Sequence, residues 1–266
     1  MHPWRGKWAL VTGASAGIGR ELARQLAADG ANLLLTARRS ERLAALAREL
    51  TARHGIQAEI VPADLARPET PGELFHFTQQ QNLPIELLVN NAGFGKYGEF
   101  LRVDAQRFLE MLQVNVTAVV HLTHLFLGPM AQRHSGYVLI VSSTAAFQPV
   151  PYITTYAATK GFELLFAEGL AEEMRPYGVR VCCLCPGSTE TEFHQVAGQP
   201  PRTARRREAA EKVARVGLAA LAQGRSRVIS GRHNWVNVEA QRLVPRRLVT
   251  RVAARLFAPR AREENR

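Results

Sequence analysis

Trp8-Ala-Leu-Val-Thr12-Gly13-Ala-Ser-Ala-Gly17-Ile-Gly19, continued by Arg20 to Ala28, is the stretch on which the fold turns. A short apolar run reads as a buried strand, the glycines as a tight turn, and Leu22, Ala23 and Leu26 share one side of the helix that follows. Strand, glycine turn and helix in that order open a parallel α/β sheet. The glycines let backbone N–H groups approach a pyrophosphate, the helix N-terminus offers partial positive charge, and Gly19 permits close helix–strand contact. The same pattern also suits a tight turn that binds nothing, so the rest of the chain has to decide.

The rhythm repeats outward from there. Asn32 to Ala37, Gln57 to Val61 and Ile85 to Val89 read as strands, Glu41 to His54 and the segment after Glu69 as helices, and Val179 to Pro186 as a later apolar run. Alternation at these lengths implies right-handed crossovers and a parallel sheet whose ligands sit at the C-terminal strand ends. The residues at those ends are Gly13, Arg38, Asp64, Asn90-Asn91-Ala92-Gly93, Ser142-Ser143 and Pro186-Gly187. With 266 residues and no Gly/Ser-rich or Pro-rich linker, one large α/β domain is expected.

Lys and Arg number 34 against 23 Asp and Glu, a formal charge of +11. The surplus is concentrated after residue 200 (Arg202, Arg205, Arg206 and Arg207, then Arg242 onward), so it characterises the C-terminal segment and does not make nucleic acid an expected partner. The three cysteines, Cys182, Cys183 and Cys185, crowd into one strand-like run without His partners, which argues against zinc and disulfides and for reduced core thiols. Trp8 to Thr12 is too short for a signal peptide, and the apolar stretches fall short of the roughly 20 residues that span a bilayer. A cytoplasmic protein is the expectation.

Arg38 and Arg39 stand where an NAD-binding chain would carry an acid for the ribose 2′-hydroxyl, and no Asp or Glu occupies positions 36–39. A 2′-phosphate is the better-matched ligand for Arg38, with Ser15, Arg20 and Arg39 as helpers; the plain alternative is a pair of solvated loop arginines. Asp64 could equally cap a turn. The pattern from Asp104 to about Met130 predicts one long helix with Asn115 inside it, a poor helix residue that needs a reason there. A second helix is expected from about Thr155 to Tyr177, on which Tyr156 and Lys160 lie one turn apart and reach one ligand.

Taken in order, these residues resemble the classical short-chain dehydrogenase/reductase family over about residues 6–231. The cofactor loop is matched by Thr12-Gly13-x-x-x-Gly17-Ile18-Gly19, the adenine-side acid by Asp64, and the fourth-strand motif by Asn90-Asn91-Ala92-Gly93. Asn115, Ser143 and Tyr156-x-x-x-Lys160 match the catalytic positions, and Pro186, Gly187 and Thr191 the nicotinamide-side loop. The resemblance implies a single Rossmann-like doubly wound parallel sheet of about seven strands, flanked by helices. It also implies reduction of a ketone, aldehyde or 3-oxoacyl carbonyl, or the reverse alcohol oxidation. NADP(H) is the preferred cofactor, with NAD(H) as the alternative. In that scheme Tyr156 is the acid/base, Ser143 hydrogen-bonds the substrate oxygen, Lys160 holds the nicotinamide ribose, and Asn115 holds a water that resupplies protons. The Lys160 ammonium is expected to lower the phenol of Tyr156 towards neutrality. Ser142 is the rival in register to Ser143. A dinucleotide-binding regulator or scaffold without turnover is the alternative function.

The domain reading is 1–231 for the catalytic domain, with a substrate lid at about 191–212, and 232–266 for a basic helical extension. Phe94, Phe147, Val150, Pro151 and Phe193 are candidate apolar pocket residues, and the Arg-rich part of the lid either attracts an acidic thioester or is a solvated face. The helices at about 104–130 and 155–177 are apolar beyond a narrow stripe, which suggests a homodimer or homotetramer. From Pro245, Leu248, Val249, Val252, Leu256 and Phe257 are expected on one side and Arg247, Arg251 and Arg255 on another. Such a helix packs on its own domain or a neighbour, or touches an anionic membrane through 245–257.

Overall fold

β1 (Trp8–Thr12), β2 (Asn32–Ala37), β3 (Ala58–Pro62), β4 (Ile85–Asn90), β5 (Gly136–Val141), β6 (Val179–Cys185) and β7 (Arg227–Ile229) pair in the computed structural model as one seven-stranded sheet. The model describes residues 3–200 and 207–259. Every pairing is parallel and the order is β3-β2-β1-β4-β5-β6-β7. The order reverses between β1 and β4, and that switch point opens a crevice at the C-terminal strand ends.

Both faces of the sheet are covered, and the period-2 alternation of a strand sorts the side chains between them. Ala9, Val11, Leu33, Leu35, Cys182 and Leu184 enter one core, beneath α1 (Gly17–Ala28), α2 (Ser40–His54) and the later α8 (Ala210–Ala222). Leu10, Leu34, Leu88, Val138, Ile140 and Cys183 enter the other, beneath α3 (Thr70–Gln80), α5 (Ala118–Gln132) and α6 (Thr154–Met174). Leu33, Leu34 and Leu35 are all fully buried, so shortening any one to alanine is a change of about 2–5 kcal/mol. Gly19 lets α1 lie this close to the sheet: a Cβ there would stand 2.3 Å from Asn91 Nδ2 and 2.5 Å from the Gly13 carbonyl oxygen.

The expected helix over 104–130 is interrupted. α4 (Ala105–Leu112) passes through a π turn at Gln113–Thr117 before α5, and the widened turn carries Asn115. The composite helix Ala105–Gln132 has 28 residues and a mean hydropathy of 1.3 over its most apolar window, long and apolar enough to cross a bilayer. That corrects the expectation from the apolar runs; Val114, Val119, Leu122, Phe126 and Met130 spend this apolarity on the core below the sheet.

Beyond β6 the chain forms α7 (Phe193–Ala197), then α8, β7, α9 (Arg232–Gln241) and α10 (Arg246–Phe257). The apolar stripe expected on α10 splits. Ala253 is buried and Phe257 joins a third apolar cluster around Met111, Val150, Ile153 and Tyr156, while Leu248, Val252 and Leu256 face solvent. The helix therefore packs on its own domain through Ala253 and Phe257, whose carbonyl also takes a bond from Tyr97.

Candidate active site

A cavity of about 700 Å³ runs along the C-terminal ends of the strands. At one end lie Gly13, Ser15, Ala16, Gly17 and Ile18 of the first turn, with Arg38, Arg39, Asp64 and Asn91-Ala92-Gly93. Thr12 ties the β1 turn to the loop after β4: its Oγ accepts from the Asn91 and Ala92 N–H groups at 2.9 and 3.0 Å and donates to the Val89 carbonyl at 3.1 Å. Asn91 Nδ2 returns a bond to the Thr12 carbonyl at 2.8 Å. Asn90 faces away from the cavity chemistry, donating to Thr123 Oγ at 2.9 Å.

The donor set at this end fits a dinucleotide phosphate. α1 begins with no side-chain cap and no acid in its first turn, so its leading N–H groups and the positive end of its dipole are directed at the cavity wall. Arg38 lines the cavity and makes no ion pair among the described residues. Arg39 is braced by Ser15 Oγ at 3.1 and 3.2 Å and by Glu192 at 2.7 Å. Arg20, expected as a helper, pairs instead with Glu21 at 3.3 Å and does not line the cavity, because it points from the solvent side of α1. Asp64 does both things expected of it: it borders the cavity and caps a turn, accepting from the Ala66 N–H at 3.0 Å.

At the other end Tyr156, 8% exposed, and Lys160, 5% exposed, stand on the first turns of α6. The Ser143 hydroxyl stands beside the Tyr156 phenol in the cavity, and Ser143 Oγ accepts from the Ala145 N–H at 3.1 Å. Ser142 is the neighbour with a structural part, donating to the Lys160 carbonyl at 2.8 Å. Lys160 Nζ lies 5.7 Å from the Tyr156 ring centre and donates to the Val141 carbonyl at 2.9 Å. Asn115 explains its own place in the π turn: Oδ1 accepts from the Phe94 N–H at 3.2 Å, while Nδ2 donates to the Phe94 carbonyl and to Thr159 Oγ, both at 3.0 Å. A Cβ on Gly93 would stand 3.2 Å from Asn115 Oδ1 and 3.4 Å from Lys160 Nζ, so both groups open on the same small space.

The electrostatics differ from expectation in sign. Burial pushes the Tyr156 phenol above its ordinary value, and the Lys160 ammonium and the Ser143 hydroxyl only oppose that. Burial also pulls Lys160 down, but Glu163 and Tyr156 together leave it raised. The lysine was expected to win because sequence spacing shows a charge beside a phenol and shows nothing of the desolvation around both.

Pro186, Gly187, Thr191 and Phe193 close the cavity from above, with the Phe193 ring 5.0 Å from that of Tyr156. Thr191 sits on the first turn: a Cβ on Gly17, whose φ is +55°, would be 2.9 Å from Thr191 Cγ2. α7 is pinned by the Tyr97 N–H to the Ala197 carbonyl at 2.8 Å, and Glu208 is tied to Ser188 and Glu190 by backbone bonds of 2.9 Å each. Of the expected lid, residues 201–206, with Arg202, Arg205 and Arg206, lie outside the described residues. Phe94 lines the cavity beneath Arg107, 4.1 Å from its ring centre. Phe147 does not line it: its side chain packs into the core below the sheet with Arg227 5.5 Å from the ring centre, since the short 3-10 turn Thr144–Phe147 carries it past the opening. Val150 lines the cavity and Pro151 borders a separate depression.

Several cavity residues have no expectation behind them: Arg107 with Glu110, Gln148, His194 and Phe257. Phe257 arrives from 101 positions beyond Tyr156, and its carbonyl accepts from the Tyr97 hydroxyl at 2.6 Å. Glu163 is the other omission, and here a signal existed: a lone acid three residues after Lys160 in the apolar run Phe162-Glu-Leu-Leu-Phe166.

Comparison with known proteins bears on this site. A family model described as short chain dehydrogenase matches residues 7–201. A short chain dehydrogenase of Pseudocercospora fijiensis is 33% identical over 246 residues, spanning 86% of this chain and 79% of that protein. A very-long-chain 3-oxoacyl-CoA reductase of Anas platyrhynchos is 33% identical over 201 residues, 74% of this chain and 64% of that one, so the present chain spans under two thirds of that relative. Among solved structures, a short-chain dehydrogenase from Sphingobium yanoikuyae in complex with NADPH superposes with a TM-score of 0.82 at 29% identity, covering 89% of this chain and 93% of that one. A 7beta-hydroxysteroid dehydrogenase gives 0.85 at 26% identity, covering 94% and 98%.

Proposed function

This chain belongs to the classical short-chain dehydrogenase/reductase family, and we propose that it is an NADPH-dependent reductase of a ketone, aldehyde or 3-oxoacyl carbonyl, able to run the reverse alcohol oxidation. One observation carries the reading: the Tyr156 phenol, set beside Ser143 and Lys160, shares a cavity with Arg38 and the uncapped start of α1. Bound NADPH supplies the hydride. Tyr156 gives its proton to the carbonyl oxygen as charge develops there, keeping the O–H electron pair as phenolate. Ser143 donates to the same oxygen and fixes its position, and Lys160 stabilises the phenolate and faces the cofactor ribose. Arg38, aided by Arg39 and Ser15, takes the 2′-phosphate, while Gly13, Gly17 and Ile18 leave room for the pyrophosphate and Gly19 serves the packing of α1 on the sheet. Phe94, Phe193, Val150, Ile153 and Phe257 make the substrate end apolar, which supports a hydrophobic carbonyl compound.

Self-association as a homodimer or homotetramer is supported by exposed Leu109, Leu112 and Val120 on α4 and α5 and by Phe162 and Leu165 on α6. The cytoplasm is the proposed compartment, in keeping with the unpaired thiols of Cys182, Cys183 and Cys185. Peripheral contact with anionic membrane is proposed for α10, whose outer face sets Leu248, Val252 and Leu256 among arginines.

The test is a screen of ketones, aldehydes and 3-oxoacyl thioesters by NADPH oxidation, with Tyr156→Phe alongside. We expect the variant to lose about 10²- to 10⁴-fold in kcat while NADPH affinity stays within about twofold. Retained turnover in Tyr156→Phe would overturn the mechanism.

A further inference from the structure

Glu163 is a buried acid that the reduction scheme leaves without a part. It is 1% exposed, one turn after Lys160 on α6, and its carboxylate meets Lys160 Nζ with Oε1 at 2.9 Å and Oε2 at 2.8 Å. Both members are buried, so the pair is held in a low dielectric where each charge depends on the other. An ammonium has three N–H donors. Glu163 and the Val141 carbonyl fix the direction of the amine and leave one donor for the cavity side.

The groups that face this carboxylate from each packed element are few. α6 supplies Lys160 and, farther off, Tyr156; the end of β5 supplies the Ser142 hydroxyl; β6 places Cys183 near the ammonium. Among the described residues no second cation pairs with Glu163.

Building on the reading of Tyr156 as the acid, we propose that Glu163 is a positioning residue that acts through Lys160. Its carboxylate counters and aims the ammonium, so that Tyr156 enters each cycle as the protonated donor that carbonyl reduction requires. The charge logic is additive in sign. Burial raises the phenol, Lys160 lowers it, and Glu163 raises it again by offsetting the lysine. Burial pushes Glu163 itself up to about 7, against the opposing pull of Lys160. Near neutral pH its ionisation therefore sets how much of the ammonium's charge the phenol feels. In the proton transfer the Tyr156 O–H bond breaks and the bond to the substrate oxygen forms; the pair left on the phenolate faces a countered cation, which stabilises it less and so favours its reprotonation from solvent, with Lys160 keeping its own proton.

The experiment needs a readout other than turnover. Phenolate absorbance is titrated in wild type and in Tyr156→Phe, whose difference isolates this phenol among five tyrosines, and again with Glu163→Gln and Glu163→Met, each with and without Tyr156→Phe. We expect a wild-type midpoint above about 10, lowered by about one unit in both uncharged variants. The alkaline limb of kcat/KM for NADPH-linked carbonyl reduction moves acidward by the same amount, and Glu163→Asp, which keeps the charge, restores it. Folded variants with an unmoved midpoint and limb would make Glu163 purely structural and overturn the proposal. If neither uncharged variant folds, the wild-type titration decides: a Tyr156 midpoint above about 10 supports the proposal and one below it overturns it. A shifted midpoint with no carbonyl turnover on any probe supports the coupling and overturns instead the reading of the site as a reductase.

Discussion

Arg38 and Arg39 are adjacent in sequence and differ in what holds them. Arg39 is engaged by Ser15 and Glu192, whereas Arg38 borders the cavity without an ion pair among the described residues, so a 2′-phosphate gains most from Arg38. A charge-assisted hydrogen bond contributes about 1.5–3 kcal/mol, which sets the scale of the effect. Arg38→Asp is therefore expected to lower the NADPH-to-NADH ratio of kcat/KM by about 10- to 100-fold, read from steady-state kinetics with both cofactors. A wild-type preference for NADH would defeat the argument. At this scale the sequence reached part of the way: the family spacing favoured Ser143 and left Ser142 as its register rival, and the structure sets the Ser143 hydroxyl beside the phenol and ties Ser142 to a backbone carbonyl. The sign of the Tyr156 shift was out of reach, because it depends on burial by residues far along the chain.

At the scale of elements, α10 is where local pattern and packing part. A stripe of Leu248, Val252 and Leu256 looks like a buried face, yet the domain takes the helix by Ala253 and Phe257 and leaves the leucines outward. Two consequences can be separated by deleting residues 243–266. Loss of Phe257 and of its bond from Tyr97 opens the apolar end of the cavity, so KM for a bulky apolar carbonyl should rise about tenfold with a smaller change in kcat. Co-sedimentation with anionic liposomes should fall; unchanged lipid binding would remove the membrane role of α10. The π turn at Gln113–Thr117 is the other element that periodicity could not show, since one extra residue in a turn leaves the apolar pattern on both sides intact.

For the whole molecule, the exposed apolar side chains of α4, α5 and α6 gather on helices that cover one face of the sheet. Leu165, 72% exposed, tests whether that face is an interface. In a monomer, Leu165→Glu changes stability by no more than about 0.5 kcal/mol, as surface substitutions do. In a dimer or tetramer it buries an unpaired charge, and sedimentation should show the assembly dissociating. A wild-type protein that sediments as a monomer would end the self-association reading.

The sequence by itself determined the parallel α/β sheet, the glycine turn, the inventory of strand ends and the Tyr156–Lys160 spacing, because each follows from periodicity and local backbone chemistry. Only the tertiary structure decided that Phe147 leaves the cavity and Phe257 enters it, that the Asn115 side chain is tied to Phe94 and Thr159, and that Glu163 holds Lys160. These outcomes rest on which surfaces meet and which charges lose their water. Both are properties of packed elements, set by residues far apart in the chain.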